Sequence, residues 1–205
     1  MRILPVFYFP PIAWFAAAAD SKSIILEQWA HYRKQNYTNR MSIKTPEKIL
    51  HLSIPVRKLG EQTPICRAEI AYDWRWQHDH WKSLESAYRR SPYFEYYEDE
   101  LKVFFESEEP SLLKHQLEIL KTLNRLLDLD LEWTLSEEYL TATQLEEDFR
   151  DAFPTKTEQL PLRFNSKPYQ QVFGSEFTPN LSILDLLFNK GPESVQFIRG
   201  CWTDK

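Results

Sequence analysis

The stretch ILPVFYFPPIAWFAAAA (residues 3–19) decides the class of fold. Ile3 to Phe9 is an uncharged, largely aromatic run of the length of a buried strand. Pro10 and Pro11 suit the first turn of a helix, because the backbone N–H groups there need no partner within the helix. We therefore predict a strand over residues 3–9 that leads directly into a tightly packed helix, Ile12–Ala19.

The same stretch also has features of an export signal. Arg2 precedes the apolar run, and small residues precede Asp20. However, Pro5, Pro10 and Pro11 interrupt the run, which is unlike a helical signal segment. The run is also marginal for a membrane span, which needs about 20 apolar residues. We therefore expect this segment to be retained, with no membrane span and a cytoplasmic location.

The length and composition of the chain limit the classes of protein to which it can belong. With 205 residues, 42% of them hydrophobic, the chain can bury one sizeable core, and we expect one domain over residues 1–205. The formal net charge of −5 argues against nucleic acid as a partner, because phosphate binding needs a broad basic face. The two cysteines, Cys66 and Cys201, lie far apart without a CxxC pair, which fits a reducing compartment.

Hydrophobic periodicity predicts the remaining elements. Apolar or alternating runs predict strands at Ser23–Gln28, Ile49–Val56, Ile65–Tyr72 and Leu131–Leu135. Helical spacing of apolar residues predicts helices around Trp81–Tyr88, Leu101–Phe105, Leu113–Leu127 and, as the last helix, Leu181–Phe188. The predicted fold is a single α/β domain with a mixed β-sheet and flanking helices. Its N-terminal half is strand-rich and its C-terminal half is helix-rich.

The usual catalytic motifs are absent from the sequence. The sequence contains no GxGxxG, P-loop, GxSxG or HExxH motif. It therefore gives no evidence for a common nucleotide-binding, serine-hydrolase or helical zinc site. His78 and His80 could bind a metal if the chain were extended there, but a helix start capped by Asp79 is the more typical interpretation. We predict no metal site, and the identity of any cofactor stays unknown.

A basic segment in this acidic chain is the best candidate for a binding site. Residues 28–46 contain no acidic residue but four cations, Arg33, Lys34, Arg40 and Lys44. Arginine binds carboxylate or phosphate through two parallel hydrogen bonds, and lysine adds a mobile charge. The alternative is a solvated loop whose cations pair with acids elsewhere in the chain.

The same segment also contains groups suited to sugar chemistry. Gln35 and Asn39 can donate to and accept from hydroxyl groups. His31 could act as a general base near neutral pH, with Glu27 available to orient it.

The order of motifs resembles the WbqC-like family of bacterial proteins. The matching pieces are YFPPIAWF (8–15), LEQWAHYRKQNYTNRMSIKT (26–45), LSIPV (52–56), HWKSLESAYRRSPYFE (80–95) and LSILDLLFNKGPES (181–194). The last piece has the form typical of the Bacteroidetes branch. This chain departs from the pattern at Val6-Phe7, where many relatives have Gln or His, so the role of that polar side chain is in doubt here.

The resemblance implies a role in O-antigen-type surface-polysaccharide biosynthesis, in which glycine or a similar amino acid is attached to a sugar. The family's recurring polar positions fall on Glu27, Lys34, Gln35, Asn39, Arg40, Trp81, Tyr88 and Asp185. We therefore predict a group transferase with a sugar or sugar-nucleotide substrate and an amino-acid donor. His31 and Glu27 would be catalytic, and Arg33 would join the other family positions in binding substrate.

A different class of function also fits the sequence. The chain could be a non-catalytic carbohydrate- or partner-binding protein of a glycan-assembly complex. The transferase hypothesis expects His31 and Glu27 to meet Arg40 in one pocket. It also expects Asp185, the one charge in an apolar helix, to be buried and paired with a cation, most plausibly Arg40. The oligomeric state stays open.

Overall fold

The computed structural model describes residues 2–21, 23–58, 60, 62–141, 147–155, 159–174 and 176–203. The strands in this part of the chain are β1 Arg2–Pro5, β2 Ser23–Glu27, β3 Arg40–Lys44, β4 Ile49–Ser53, β5 Glu132–Leu135 and β6 Glu147–Asp148. The helices are α1 Ile12–Ala19, α2 Trp76–Tyr88, α3 Phe94–Lys102, α4 Leu112–Leu126, α5 Ile183–Lys190 and α6 Ser194–Arg199.

Four strands form a parallel sheet in the order β5-β2-β1-β6. The chain moves outward from β1 through β2 to β5, and β6 then returns to the free side of β1. All four strands point the same way, so the residues that follow them gather at one edge of the sheet. In open α/β sheets this edge, at the point where the strand order reverses, is where ligands bind.

The opening stretch forms the centre of the fold. Helix α1 spans the predicted residues Ile12–Ala19, and its first seven residues are buried, as expected for a helix that is apolar all round. Strand β1 ends at Pro5, four residues before the predicted end at Phe9. The reason is that the chain leaves the sheet there, because Tyr8 N–H donates to Tyr37 O at 2.9 Å and Phe9 adopts a φ of +40°.

The prediction of an α/β fold with flanking helices is confirmed, with parallel and antiparallel pairing in separate sheets. Strands β3 and β4 pair antiparallel, with Arg40 opposite Ser53 and Lys44 opposite Ile49. Part of the basic segment is thus a strand rather than a loop. Of the six strands in the described residues, the first four lie before residue 54.

The predicted strand Ile65–Tyr72 is wrong. Ile65–Arg67 is a 3₁₀ turn, because the N–H groups of Ile65 and Cys66 donate to Ala30 O and Gln28 O. The segment after it is extended and makes isolated bridges instead of a ladder, such as Val56 with Ile70.

Helices α2 to α6 all follow the first four strands along the chain. Helix α4 begins after Ser111, whose side chain accepts a hydrogen bond from Lys114 N–H. Asp79 lies inside α2 rather than capping it, since that helix begins at Trp76. The predicted last helix is α5, and α6 after it was not predicted. None of the helices in the described ranges is both long and apolar enough to cross a membrane.

Candidate functional site

A cleft of about 460 Å³, which we call the strand-end cleft, opens at the carboxyl edge of the parallel sheet. Each of the four strands contributes side chains from the residues at or just after its end. These are Pro5 and Phe7 after β1, Trp29, His31 and Arg33 after β2, Tyr139 after β5, and Arg150 and Asp151 after β6. Asn36, Thr38 and Ile65 complete the lining together with Ala30.

Buried Glu27 connects three of the strand ends that contribute to this cleft. The side chain is fully buried at the end of β2. Its Oε1 accepts hydrogen bonds from Trp29 N–H at 2.7 Å and from Ser136 Oγ at 2.9 Å. Its Oε2 accepts from Arg150 Nη1 at 3.2 Å. A single carboxylate therefore joins the ends of β2, β5 and β6, and the partner that we predicted for it, His31, is not among these contacts.

Arg150 lines the cleft but is largely committed to the protein. Its Nε and Nη2 both donate to Asp148, and its Nη1 donates to Glu27 and to Leu140 O. Four of its five N–H groups are thus used. Hydrogen bonds from Arg150 lower the pKa of Asp148, and the same bonds raise the pKa of Arg150. The guanidinium carbon also lies 4.4 Å from the ring centroid of Tyr139, so Arg150 holds this aromatic wall in place.

Arg33 and His31 are among the exposed side chains of the cleft. Arg33 pairs with Asp151 at 2.9 Å, but the two side chains are 66% and 80% exposed, so this ion pair is weak. The His31 side chain is exposed and makes no hydrogen bond with the described residues. Asn36 also lines the cleft, and its Oδ1 has no hydrogen-bond partner in the described part of the chain.

Several predicted binding residues lie outside the strand-end cleft. Lys34 and Gln35 are exposed on the turn that precedes β3, where Gln35 has a φ of +59°. Asn39 is buried and donates to Ile54 O at 2.8 Å, and Arg40 donates to Ser53 Oγ at 3.1 Å, so both join β3 to the β4 side of the hairpin. Trp81 is a core residue of α2 that packs on Phe94 and Phe105.

Tyr88 and Asp185 form a separate buried polar cluster. Asp185 is 1% exposed and accepts from Tyr88 at 3.0 Å, from Gln171 at 3.0 Å and from Tyr169. Burial raises the pKa of Asp185, and these hydrogen bonds oppose the shift. The predicted burial of Asp185 is confirmed, but the predicted pairing with Arg40 is wrong, because neutral donors satisfy the carboxylate.

The structure therefore divides the predicted site. His31 and Arg33 line the strand-end cleft, and the buried Glu27 is hydrogen-bonded to residues of its lining. The expectation that His31 and Glu27 meet Arg40 in one pocket is wrong, because neither Glu27 nor Arg40 lines the cleft. Among the cleft residues that sequence reasoning missed, Trp29 and Asn36 lie inside the basic segment but were not among the predicted site residues. Arg150 and Asp151 follow a two-residue strand whose sequence, Glu-Asp, has no hydrophobic pattern to reveal it.

Fold and site together define an α/β protein with a cleft at the carboxyl ends of a parallel sheet. The model of the WbqC-like protein family matches residues 6–160 and 155–197, and the chain belongs to this family. It is also similar to an uncharacterized protein, Rv1507c, of Mycobacterium tuberculosis (strain ATCC 25618 / H37Rv). The two are 24% identical over 220 residues, which covers 95% of each chain. No solved structure shows significant similarity.

Proposed function

We propose that this chain is a cytoplasmic group transferase of O-antigen-type surface-polysaccharide biosynthesis, and that residues 1–205 form one WbqC-like domain. Its substrate is a sugar or sugar nucleotide in the strand-end cleft, and the transferred group is glycine or a similar amino acid. One observation carries the proposal: aromatic, imidazole and guanidinium side chains from the ends of the four parallel strands line one cleft together with the Asn36 amide and the Thr38 hydroxyl.

The lining suits a sugar that carries an anionic group. The faces of Trp29 and Tyr139 can pack against the C–H face of a sugar ring. Asn36 and Thr38 can exchange hydrogen bonds with its hydroxyls. Arg33 can bind a phosphate or carboxylate, because its partner Asp151 is exposed and easily exchanged.

His31 is the candidate base. In the proposed step the amine nitrogen of the amino acid forms a C–N bond to the activated acyl carbon of a uronate-type sugar. The bond from that carbon to its leaving group breaks, and the leaving group takes the electron pair. His31 accepts the proton that the amine loses. Glu27 acts through the frame of the cleft, because its two oxygens are bound to Trp29, Ser136 and Arg150.

Titration calorimetry of the intact protein with a panel of nucleotide sugars tests this proposal. We expect Arg33→Ala to weaken binding by about tenfold, since a charge-assisted pair is lost. Arg57→Ala is the matched control, because Arg57 is also 66% exposed in an exposed ion pair but does not line the cleft. His31→Asn should keep binding and slow transfer by about 100-fold.

Two results would contradict this function. If no nucleotide sugar binds, or if Arg33→Ala and Arg57→Ala bind alike, the cleft is not the sugar site. If sugars bind but no acyl transfer occurs with any amino acid, the non-catalytic carbohydrate-binding alternative is correct.

A further inference from the structure

A second cavity, which we call the side pocket, adjoins the strand-end cleft. It has a volume of about 360 Å³. Trp29, His31 and Tyr139 line both cavities, so these three side chains form the boundary between them. Two ligands, one in each cavity, would therefore lie next to each other at His31.

Hydrogen bonds to backbone carbonyl groups hold the three segments that build the side pocket. The segment after β2 binds the 3₁₀ turn, through Ile65 N–H to Ala30 O and Cys66 N–H to Gln28 O, both at 3.0 Å. Gln28 Nε2 donates in turn to Ser136 O at 2.7 Å, which fixes the residues that follow β5. The lining is thus set by the fold and not by a free loop.

The charged residues of the side pocket have both signs and are uncommitted. Arg67 comes from the 3₁₀ turn, and Glu137 and Glu138 come from the segment after β5. Within the described ranges, none of these three side chains forms an ion pair or a hydrogen bond with another side chain. One small cavity therefore presents a free guanidinium and free carboxylates that do not neutralise each other.

We infer that the side pocket binds a small α-amino acid. Its carboxylate pairs with Arg67, and its ammonium lies between Glu137 and Glu138 near the rings of Trp29 and Tyr139. A ligand with one charge can pair with either the guanidinium or the carboxylates, whereas a zwitterion can pair with both. The inference rests on the proposed function, because this amino acid is the co-substrate of the ligand in the strand-end cleft.

Ligand-observed NMR on the full chain tests the side pocket with glycine, L-alanine and L-serine against ethylamine and propionate. We expect the amino acids to bind about fivefold more tightly than either singly charged compound, which is the scale of one exposed ion pair. Arg67→Gln and the double variant Glu137→Gln with Glu138→Gln should each lose about that factor. Arg57→Gln, which removes an exposed cation outside the pocket, should bind like the wild type.

The inference is overturned if the amino acids do not bind, if the singly charged compounds bind equally well, or if the three variants behave alike. Because the substituted side chains are exposed, circular dichroism should show all of them folded. Sugar-nucleotide binding without amino-acid binding would overturn the side pocket and leave the strand-end cleft standing. Amino-acid binding without sugar-nucleotide binding would overturn the strand-end cleft as the sugar site and leave the side pocket standing.

Discussion

At the scale of the residue, Glu27 shows how a buried charge can organise a cleft without lining it. The carboxylate accepts hydrogen bonds from three groups of the surrounding frame, Trp29 N–H, Ser136 Oγ and Arg150 Nη1. A buried ion pair that loses one partner leaves a charge without compensation, which is costly. Glu27 is therefore more important for the shape of the strand-end cleft than for proton transfer.

This interpretation predicts the effect of Glu27→Gln. The amide keeps the shape of the side chain but loses the charge that faces Arg150, and one of its N–H groups meets other donors. We expect the free energy of unfolding to fall by about 3 kcal/mol. Urea denaturation followed by tryptophan fluorescence measures this change.

Asp151→Asn is the control for that experiment. Asp151 is also an acid of the cleft paired with an arginine, but it is 80% exposed, so its loss should cost less than about 1 kcal/mol. If Glu27→Gln keeps wild-type stability and abolishes transfer, Glu27 is a catalytic residue and the structural interpretation is wrong.

The position of a residue could be predicted from the sequence where it depends on the preceding strand, but not where it depends on a partner that is distant along the chain. His31 and Arg33 follow β2 directly, and their place at the cleft follows from the position of that strand. The partners of Asp185 could not be read from sequence, because the buried carboxylate selects the donors that the fold brings near. One of these donors, Tyr88, lies 97 residues from Asp185 along the chain. Arg40 donates its hydrogen bond to Ser53 instead.

At the scale of the element, the junction after α5 depends on one glycine. Gly191 has a φ of +53°, which costs a residue with a side chain more than it costs glycine. A Cβ at this position would lie 2.5 Å from Tyr93 Cδ1. The Tyr93 backbone N–H donates to Phe188 O, so the ring is attached to the same helix and cannot move away freely.

We therefore expect Gly191→Ala to destabilise the protein by about 2–4 kcal/mol through strain and overpacking. Thermal unfolding measured by calorimetry tests the expectation. Gly200→Ala is the matched control, since Gly200 also ends a helix but has a negative φ and its nearest heavy atom would be 3.4 Å from the new Cβ. Equal melting temperatures for the two variants would refute the argument.

The same scale explains which elements could be predicted. Helix α1 and α4 have long apolar patterns and start signals, Pro11 and Ser111, so their positions follow from sequence. The alternating apolar pattern of Ile65–Tyr72 corresponds to alternating burial at Ala68, Glu69 and Ile70. Burial alone, however, does not determine whether an extended segment pairs continuously with a neighbouring strand. Strand β6 has two acidic residues and is defined by its pairing with β1, which no local pattern encodes.

At the scale of the whole molecule, two buried histidines should make the fold sensitive to mild acid. His80 and His115 are 4% and 3% exposed, and burial lowers the pKa of each to about 4. Their unfolded pKa is near 6.5, so the unfolded chain binds more protons between pH 6.5 and pH 4. Stability therefore falls as the pH falls through this window.

We expect a loss of about 2 kcal/mol for each histidine between pH 7 and pH 5. Asp185 acts in the opposite direction, because its raised pKa favours the protonated carboxyl in the fold as the pH falls. Urea denaturation at a series of pH values gives the slope. His115→Gln should remove about half of the loss, whereas His78→Gln, at a surface histidine, should leave it unchanged. A wild-type stability that is equal at pH 7 and pH 5 would contradict the prediction.

The central place of β1 also has a consequence for the order in which the protein is made. β1 needs β6 on its free side, and the paired residues Arg2 and Glu147 are 145 positions apart. During synthesis on the ribosome, at about 5–20 residues per second, β1 therefore waits roughly 7–30 seconds before that partner has been translated. The strand-end cleft also forms late, because Arg150 and Asp151 lie later in the sequence than its other lining residues. A nascent chain can thus form the β1–α1–β2 unit early, but the lining of the strand-end cleft is complete only after residue 151 has been synthesised.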